Sequence, residues 1–459
     1  MKKIMSLVII VILFYLSGCS NTSTTVNRST PSPSASPAPV EMSAEDVFGP
    51  IVQTPGNQGS LVVIISDLHI GDQRSIDNGY GWLIKNRDIL AAFLNQLASH
   101  PSVKELVIAG DMFDEWVVPM EYDTFNGFGP DQEGESKFLD SIAAANPAVI
   151  SAVNNIIASG VKVTYVPGNH DMLVTEDDMN RLFPGINQKR EAPGMGAYSP
   201  DGLPEVVIEH AHRYDFYNAP DMISNRIPYS PEDYTTNPQA IIPPGFFVTK
   251  IATSHGVSTL PAPALDATVQ GSELFLYWLS WQLILAKIHI TEDPNAKIIK
   301  TGIDGYTADY AINDLVPQTQ GPDILEPLLY QKIGNNWSAR QAGNLVKVPI
   351  DVYTGIINAY SLFCDLQSST QYFSHDLSTR IVVFGHTHHA TLCYRLNKSR
   401  QECIYANSGT WIDSGNPART CVVIKTNPQE DGTVDENVCV YQFTEKQSLL
   451  KLYDGTITK

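Results

Sequence analysis

Short hydrophobic runs, each closed by glycine or polar residues, recur along the chain. Four of them are apolar almost throughout and rich in valine and isoleucine, a pattern typical of parallel strands that are buried on both faces. They span 61–65, 105–109, 161–166 and 381–384. Shorter runs at 206–208, 405–411, 421–424 and 438–441 predict further strands. The pattern therefore predicts an α/β protein.

Side chains that could bind metal ions follow the ends of five of these predicted strands. They lie in the segments Asp67-Leu68-His69, Gly110-Asp111, Gly168-Asn169-His170-Asp171, His210 and Gly385-His386-Thr387-His388. Ligands of α/β sheets bind at the carboxyl ends of strands, and glycine lets a loop turn sharply beside a ligand. Two divalent cations about 4 Å apart need oxygen and imidazole ligands, one shared carboxylate, and open positions for water and a phosphate. The segments supply this combination.

The order Asp-x-His, Gly-Asp, Gly-Asn-His-Asp and Gly-His-x-His resembles the calcineurin-like metallophosphoesterase superfamily. The resemblance covers about residues 60–215 and 380–413. It implies a four-layer αββα sandwich, and we expect the runs at 405–411, 421–424 and 438–441 to close its second sheet. It also implies two divalent metal ions (manganese, iron or zinc). One would be held by Asp67, His69 and His388, and the other by Asn169, His210 and His386, with Asp111 bridging the two.

The same resemblance implies a hydrolytic mechanism with two further residues. A water that bridges the metals is the expected nucleophile, because two cations lower its pKa toward about 7. His170 is expected to stabilise developing charge or protonate the leaving group, and Asp114 to orient its imidazole. The substrate would be a phosphomonoester, a phosphodiester, or a lipid or nucleotide pyrophosphate. The alternative is a lipid-anchored binding or structural protein that retains the scaffold without turnover.

Two further polar residues have alternative interpretations. Glu209-His210-Ala211-His212 offers two histidines that strand alternation puts on one face. The family usually uses the first, so we expect His210 to be the ligand and His212 to support the site or face the substrate. Asp171 receives the same interpretation as His212.

A long insertion separates His210 from Gly385. We assign 58–455 to the phosphoesterase domain, with an inserted cap at about 216–378 and a smaller insertion at about 117–140. The apolar helix predicted at 272–290 either belongs to the core of the cap, or its aromatic face forms an acyl-chain groove or touches the bilayer. The segment 110–116 also resembles the UDP-diacylglucosamine pyrophosphohydrolase branch, but that branch typically has arginine in place of His170. We take from it only a hint of lipid or nucleotide substrates.

The N-terminus resembles a bacterial lipoprotein signal. A charged start and an apolar stretch precede Leu16-Ser17-Gly18-Cys19. Cleavage after residue 18 would leave a lipidated Cys19, followed by a tether to residue 57 that begins rich in serine, threonine and proline. An ordinary cleaved signal peptide is the alternative. Either way we expect an extracytoplasmic protein, and with lipidation one anchored to a membrane of the bacterial cell envelope.

Charge and cysteine content add two expectations. The formal net charge of −19 makes a nucleic-acid-binding surface unexpected. Outside the cytoplasm disulfides can persist, and the positions of Cys393 and Cys403, and of Cys421 and Cys439, in likely hairpins suggest two bonds. Cys364 would remain a free thiol.

Overall fold

The fold is described from a computed structural model. Residues 40–458 are described, except 50–52, 55–56, 59, 80, 119–132, 192–193, 225–240, 255–272, 288–292, 298, 300–308, 360–363 and 430. All of them belong to one unit, Val40–Lys459. The predicted signal peptide and Cys19 lie outside the described residues, as does most of the smaller insertion at 117–140.

The strands confirm the hydrophobic pattern and add short edge strands to it. They are β1 Glu41–Met42, β2 Gln53–Thr54, β3 Asn57–Gln58, β4 Leu61–Ile65, β5 Val103–Ala109, β6 Lys162–Val166, β7 Asn187–Gln188, β8 Ala197–Tyr198, β9 Val206–Glu209, β10 Gln318–Gln320, β11 Asp323–Leu325, β12 Ile381–Phe384, β13 Thr391–Leu396, β14 Glu402–Asn407, β15 Thr420–Pro428, β16 Val434–Phe443 and β17 Leu449–Thr458.

The first sheet has eight strands in the order β1-β17-β16-β15-β4-β5-β6-β7. Strands β4 to β7 run parallel, and β15 joins β4 antiparallel with Val422 opposite Ile64. Strands β15 and β16 contain two of the runs that we expected in the second sheet, so that expectation is wrong. Both faces of β15 are buried, because Val422 and Ile424 face the other sheet while Val423 faces the helices. Hydrophobicity alone does not distinguish between two buried sheets.

The second sheet has five strands in the order β13-β14-β12-β9-β8. Its centre is parallel, with β12 between β9 and β14, and its two outer pairs are antiparallel. The carboxyl ends of β9 and β12 therefore lie side by side, with Phe384 opposite Glu209. This neighbourhood brings the residues that follow Glu209 close to those that follow Phe384.

Helices cover the outer face of the first sheet and form much of the insertion. They are α1 Ala44–Phe48, α2 Gln73–Asp77, α3 Arg87–Ser99, α4 Glu133–Ala145, α5 Pro147–Ala158, α6 Glu176–Leu182, α7 Pro244–Ser254, α8 Glu273–Lys287, α9 Ile312–Leu315, α10 Ile333–Gly343 and α11 Val352–Asn358. Several begin at a side chain that accepts a backbone N–H, such as Thr175 before α6 and Asp351 before α11. Such caps satisfy donors that the first helical turn leaves unpaired.

Three hydrophobic clusters make up the layers of the sandwich. Leu90 and Leu94 of α3 and Val153 of α5 pack on the outer face of the first sheet. A second cluster fills the space between the two sheets. On the outer face of the second sheet, Phe384 packs with Phe373 from the helical segment Ser368–Phe373. The arrangement is the expected αββα sandwich with a large, partly helical insertion.

The insertion has a hydrophobic core of its own, built from aromatic side chains. Tyr277 and Trp281 of α8 are fully buried in it beside Phe216 and Trp337. The helix predicted at 272–290 is therefore a core helix, as the first of its two interpretations held. The buried guanidinium of Arg340 donates to the carbonyls of residues 216, 219 and 220. It fixes the segment that leads from His210 into the insertion.

The boundary between tether and domain lies earlier in the chain than predicted. Strand β1 pairs with β17, and Val47 and Phe48 of α1 are buried in the outer core of the first sheet. Residues 40–49 therefore belong to the folded domain rather than to a tether that ends at residue 57. At the other end, β17 continues to Thr458, beyond the predicted limit of 455.

The two expected disulfides are absent, because Cys393, Cys403, Cys421 and Cys439 are free thiols. The strand register explains this. Cys393 lies opposite Tyr405 and Cys421 lies opposite Tyr441, so each expected pair is diagonal. Diagonal neighbours are about 7–8 Å apart, whereas bonded cysteines have Cα atoms about 4.4–6.8 Å apart.

Within the described residues, no single helix is both long and apolar enough to cross a membrane, although Lys137–Ala145 and Pro147–Ala158 together meet that test across a 95° bend.

Candidate dinuclear metal centre

Five of the predicted ligand residues adopt an unusual backbone conformation. Their φ angles are positive: Asp67 (54°), His69 (48°), Asp111 (50°), His386 (68°) and His388 (57°). Left-handed backbone is uncommon for residues other than glycine and costs about 1–3 kcal/mol at each position. Such strain clusters at functional sites, where the surrounding fold holds it. The loops are therefore shaped to point these side chains at one place.

The first group of side chains consists of Asp67, His69, Asp111 and His388. His69 Nε2 lies 3.1 Å from His388 Nε2 and 3.6 Å from Asp111 Oδ2. Asp67 Oδ1 lies 3.1 Å from His388 Nε2 and has no hydrogen-bond partner among the described residues, although the side chain is fully buried. An unpaired buried carboxylate oxygen that faces imidazole nitrogens fits a cation ligand.

The second group shares Asp111 and adds His210 and His386. His210 Nε2 lies 3.2 Å from Asp111 Oδ2 and 3.1 Å from Asn169 Oδ1. Its Nδ1 is 2.9 Å from the Ala109 carbonyl, to which it donates, so Nε2 is the nitrogen that would bind a metal. The Asp111 carboxylate thus belongs to both groups, as a bridging ligand must.

Glycine makes the close approach of these loops possible. A Cβ atom on Gly168 would lie 2.1 Å from Asp111 Oδ1 and 2.3 Å from the Asp111 backbone nitrogen. No side chain fits there, so the loops after β5 and β6 can only meet at a glycine.

His170 and Asp114 form the expected pair beside the metal ligands. His170 Nδ1 lies 3.0 Å from Asp114 Oδ1, while Asp114 Oδ2 lies 3.3 Å from Nδ1 of His69. One carboxylate therefore orients both a proposed ligand and the proposed catalytic imidazole. The His170 ring stacks on Trp116 at 4.5 Å and lies 5.5 Å from Trp82. Sequence reasoning missed both tryptophans, because neither belongs to a ligand motif.

Asp171 and His212 support the loops that carry the metal ligands, and neither lines the cavity over the metal centre. Asp171 accepts hydrogen bonds from the backbone nitrogens of Met112 and Gly168, each at 2.7 Å, and ties the two ligand loops together. His212 is buried, with Nε2 2.9 Å from the Gly194 carbonyl. Strand β9 ends before His210, and Ala211 has φ of 81°, so the alternation that we applied to this segment does not hold there.

Electrostatics also favour cations at this place. Burial by itself raises the pKa of Asp114, but His170 and His69 outweigh it and hold that pKa below its ordinary value. Burial lowers the pKa of His210, yet Asp111 and Asp67 raise it to about 9. Buried carboxylates thus create a negative potential that divalent cations would offset. The oxygen and nitrogen ligand set fits two divalent ions of the manganese, iron or zinc type.

A cavity of about 300 Å³ opens over these side chains. One wall contains Asp111, Asn169, His170, His386 and His388, and Trp82 stands at its side. The facing wall comes from the insertion. The substrate would therefore lie between the metal centre and the insertion.

Asp215 connects the two walls and was not found from the sequence. Its Oδ2 lies 3.0 Å from His386 Nε2, and its Oδ1 accepts from the backbone nitrogens of Tyr217 and Asn218. Both of those residues line the cavity. Only its position five residues after His210 could have drawn attention to it.

Comparison with known proteins agrees with this geometry. A family model described as calcineurin-like phosphoesterase matches residues 60–286, which include the ligands from Asp67 to His210. The chain belongs to the calcineurin-like metallophosphoesterase superfamily. Its buried Asp and His clusters fit a dinuclear metal site.

Two solved structures show partial similarity. Nuclease MPE from Pseudomonas putida is 18% identical over 32% of this chain and 53% of that chain, about half its length, with a TM-score of 0.19. Phosphopantetheinyl hydrolase (PptH) from Mycobacterium tuberculosis is 13% identical over 76% of this chain and 90% of that chain, with a TM-score of 0.25. No curated protein matches the sequence.

Proposed function

We propose that the protein is an extracytoplasmic dinuclear-metal phosphohydrolase that cleaves a phosphate ester or pyrophosphate. The observation that supports this best is the convergence of seven side chains below a cavity whose wall also holds His170. They are Asp67, His69, Asp111, Asn169, His210, His386 and His388.

The cations and the protein have separate tasks in this proposal. When bound, two divalent cations would offset the charge of the phosphoryl group and lower the pKa of a water molecule. His170 would act on the leaving oxygen of the substrate. Its Nδ1 faces Asp114, so Nε2 is the nitrogen that can stabilise this oxygen or protonate it. Trp116 and Trp82 hold the ring in place and shield it from water.

Hydrolysis of small phosphate esters and of pyrophosphate tests this proposal. Full-length protein in detergent, loaded with manganese, is assayed with 4-nitrophenyl phosphate, bis(4-nitrophenyl) phosphate and inorganic pyrophosphate. Asp111→Asn should abolish turnover, because it removes a carboxylate common to both ligand groups. Asp88→Asn, whose side chain is 87% exposed on α3, is the matched control and should keep full activity. If wild-type protein with two bound metals turns over none of the three compounds, the cavity excludes them or the protein only binds its ligand.

The location is a separate part of the proposal. It rests on the lipoprotein-like N-terminus and on Cys19 as the lipidated residue. Metabolic labelling with palmitate in a bacterial host should label the wild-type protein, whereas Cys19→Ser should lose the label and leave the membrane fraction. An unlabelled wild-type protein in the soluble extracytoplasmic fraction would instead support an ordinary signal peptide.

A further inference from the structure

Trp82 differs from the other tryptophans of the chain because it is accessible from the cavity over the metal centre. The other five are buried: Trp116, Trp278, Trp281, Trp337 and Trp411. Trp82 is only partly buried and lines the cavity. A planar group that packs on this ring displaces water from apolar surface, which favours binding. Trp82 therefore offers a substrate an aromatic surface to cover.

The ring of Trp82 lies beside the groups that we expect to bind metal and to act on the leaving oxygen. Its centroid is 4.5 Å from that of His69, 5.5 Å from that of His170 and 5.8 Å from that of His388. His170 and His388 line the same cavity. A substrate with its phosphoryl group at the metal centre would therefore bring the atoms bonded to that group close to the indole ring of Trp82.

The segment that carries Trp82 is held in place by Asp413. The N–H of Asp413 donates to the Trp82 carbonyl at 2.8 Å, and the Asp413 carboxylate accepts from the backbone nitrogens of residues 84–86 at 2.9–3.1 Å. Two residues earlier, the N–H of Trp411 donates to the Asp67 carbonyl at 3.1 Å. One loop thus fixes the tryptophan relative to a metal ligand. Because the segment is ordered before binding, little conformational entropy is lost when a ligand stacks on the ring.

We infer that Trp82 determines substrate specificity as a stacking platform for a planar group that is joined to the phosphoryl group. An aromatic group can lie offset on the indole ring or meet it edge to face, and either arrangement adds to the free energy gained by burial of apolar area. A saturated ring gains only the burial. An aryl group and a nucleobase both have the required π-face. This inference rests on the proposed function, because it assigns the phosphoryl group to the metal centre.

Binding of non-hydrolysable phosphonates tests the platform without turnover. Calorimetry with manganese-loaded full-length protein in detergent compares benzylphosphonate with cyclohexylmethylphosphonate, which carries the same charge on a saturated ring of similar size. The benzyl compound should bind about fivefold more tightly, because aromatic contacts contribute beyond the burial of area. A third compound, 9-(phosphonomethoxyethyl)adenine, presents a nucleobase in place of the aryl group.

Three variants locate the effect. Trp82→Leu should make benzylphosphonate and cyclohexylmethylphosphonate bind equally, whereas Trp82→Phe should keep part of the preference. Lys85→Ala, at an exposed position of the same segment, is the control and should keep all of it. The number of manganese ions bound is measured for each variant, because the indole ring also contacts His69 and His388. If Trp82→Leu loses metal, the phenylalanine variant decides the test.

The outcomes separate the platform from the proposed function. Equal binding of the two ring compounds by wild-type protein, or an equal loss of affinity for both in Trp82→Leu, overturns the platform even if the protein hydrolyses phosphate esters. The ring would then only support the histidines. The expected preference, without hydrolysis of phenyl phosphate, supports the platform and contradicts the proposed function. Whichever of the benzyl and adenine compounds loses more affinity in Trp82→Leu identifies the planar group as aryl or nucleobase.

Discussion

At the scale of single residues, Asp215 stands out because one carboxylate serves two parts of the site. One oxygen contacts a proposed metal ligand and the other caps the turn that carries Tyr217 and Asn218 into the cavity wall. Carboxylates that hold a ligand histidine in this way fix its ring orientation and raise its basicity. Asp215 is thus a positioning residue.

Replacement of Asp215 by Asn should weaken metal binding on the His386 side by about 10–100-fold, the usual effect of losing such a partner. Titration with manganese, followed by the number of ions bound, measures this without reference to activity. Asp323→Asn, at an exposed position in the insertion, is the control. Two sites of unchanged affinity in Asp215→Asn would show that the carboxylate only shapes the turn.

Asp365 predicts a pH-dependent contribution to stability. Burial raises its pKa from 3.8 to about 7, despite hydrogen bonds from Tyr405 and Asn407 that lower it. The folded protein therefore holds a proton there that the unfolded chain loses above about pH 4. The contribution of this group to the free energy of unfolding should fall as pH rises from about 4 to 7 and stay constant above that.

Substitution of Asp365 by Asn should remove the loss of stability that ionisation of this buried carboxyl group causes at high pH. The midpoint of thermal unfolding at pH 8 should rise above that of wild type by at least about 1 °C, since an unfolding entropy of about 2.1 cal/mol/K per residue makes 1 kcal/mol correspond to about 1 °C in a protein of this size. At pH 4.5 the two proteins should unfold at nearly the same temperature. Asp376→Asn is a control of opposite sign, because hydrogen bonds from Ser378 lower the pKa of Asp376. An equal shift of the Asp365 variant at both pH values would contradict the assignment.

At the scale of elements, the sequence determines strand positions better than strand partners. The runs 61–65 and 381–384 coincide with β4 and β12, because parallel strands that are buried on both faces are apolar throughout. Their neighbours could not be derived in the same way, as β15 and β16 show by joining the first sheet. Helices α10 and α11 mix polar and apolar residues and follow no clear period, so they were not predicted individually.

The loop after β6 yields a prediction about two elements at once. In Gly168→Ala, the new methyl group would collide with Asp111 and push apart the loops that follow β5 and β6. We expect loss of both bound metals and of turnover, together with a lower unfolding temperature. Gly202→Ala is the comparison, since that glycine has φ of 80° but nothing within 4 Å of the added Cβ. It should lose stability yet bind two metals. Retention of both metals in Gly168→Ala would show that the loops can separate without harm to the site.

At the scale of the whole molecule, the metal ligands were predictable because they form motifs that are local in sequence. Asp215 was not, because its role arises only when the insertion folds against the sandwich. The prediction of two disulfides was wrong for a related reason. Symmetric spacing suggests a hairpin pair, but the register, which sequence spacing does not specify, places the cysteines diagonally.

Free thiols predict that reductant has no effect on global stability. Unfolding midpoints with and without dithiothreitol should agree within about 1 °C. Alkylation in denaturant without reductant, followed by mass spectrometry, should modify Cys393, Cys403, Cys421 and Cys439. Protection of either pair from alkylation would show that a bond forms after the strands shift.

The pairing of β4 with β15 has a consequence for how the protein is made. Strand β4 ends at Ile65, but its neighbour begins only at Thr420, and His386 and His388 also emerge late. Until those segments emerge, a central strand has one open edge and the ligand set is incomplete. The incomplete chain is therefore inactive, and its open strand edge makes it prone to aggregation. It needs protection of that edge until the last strands have paired.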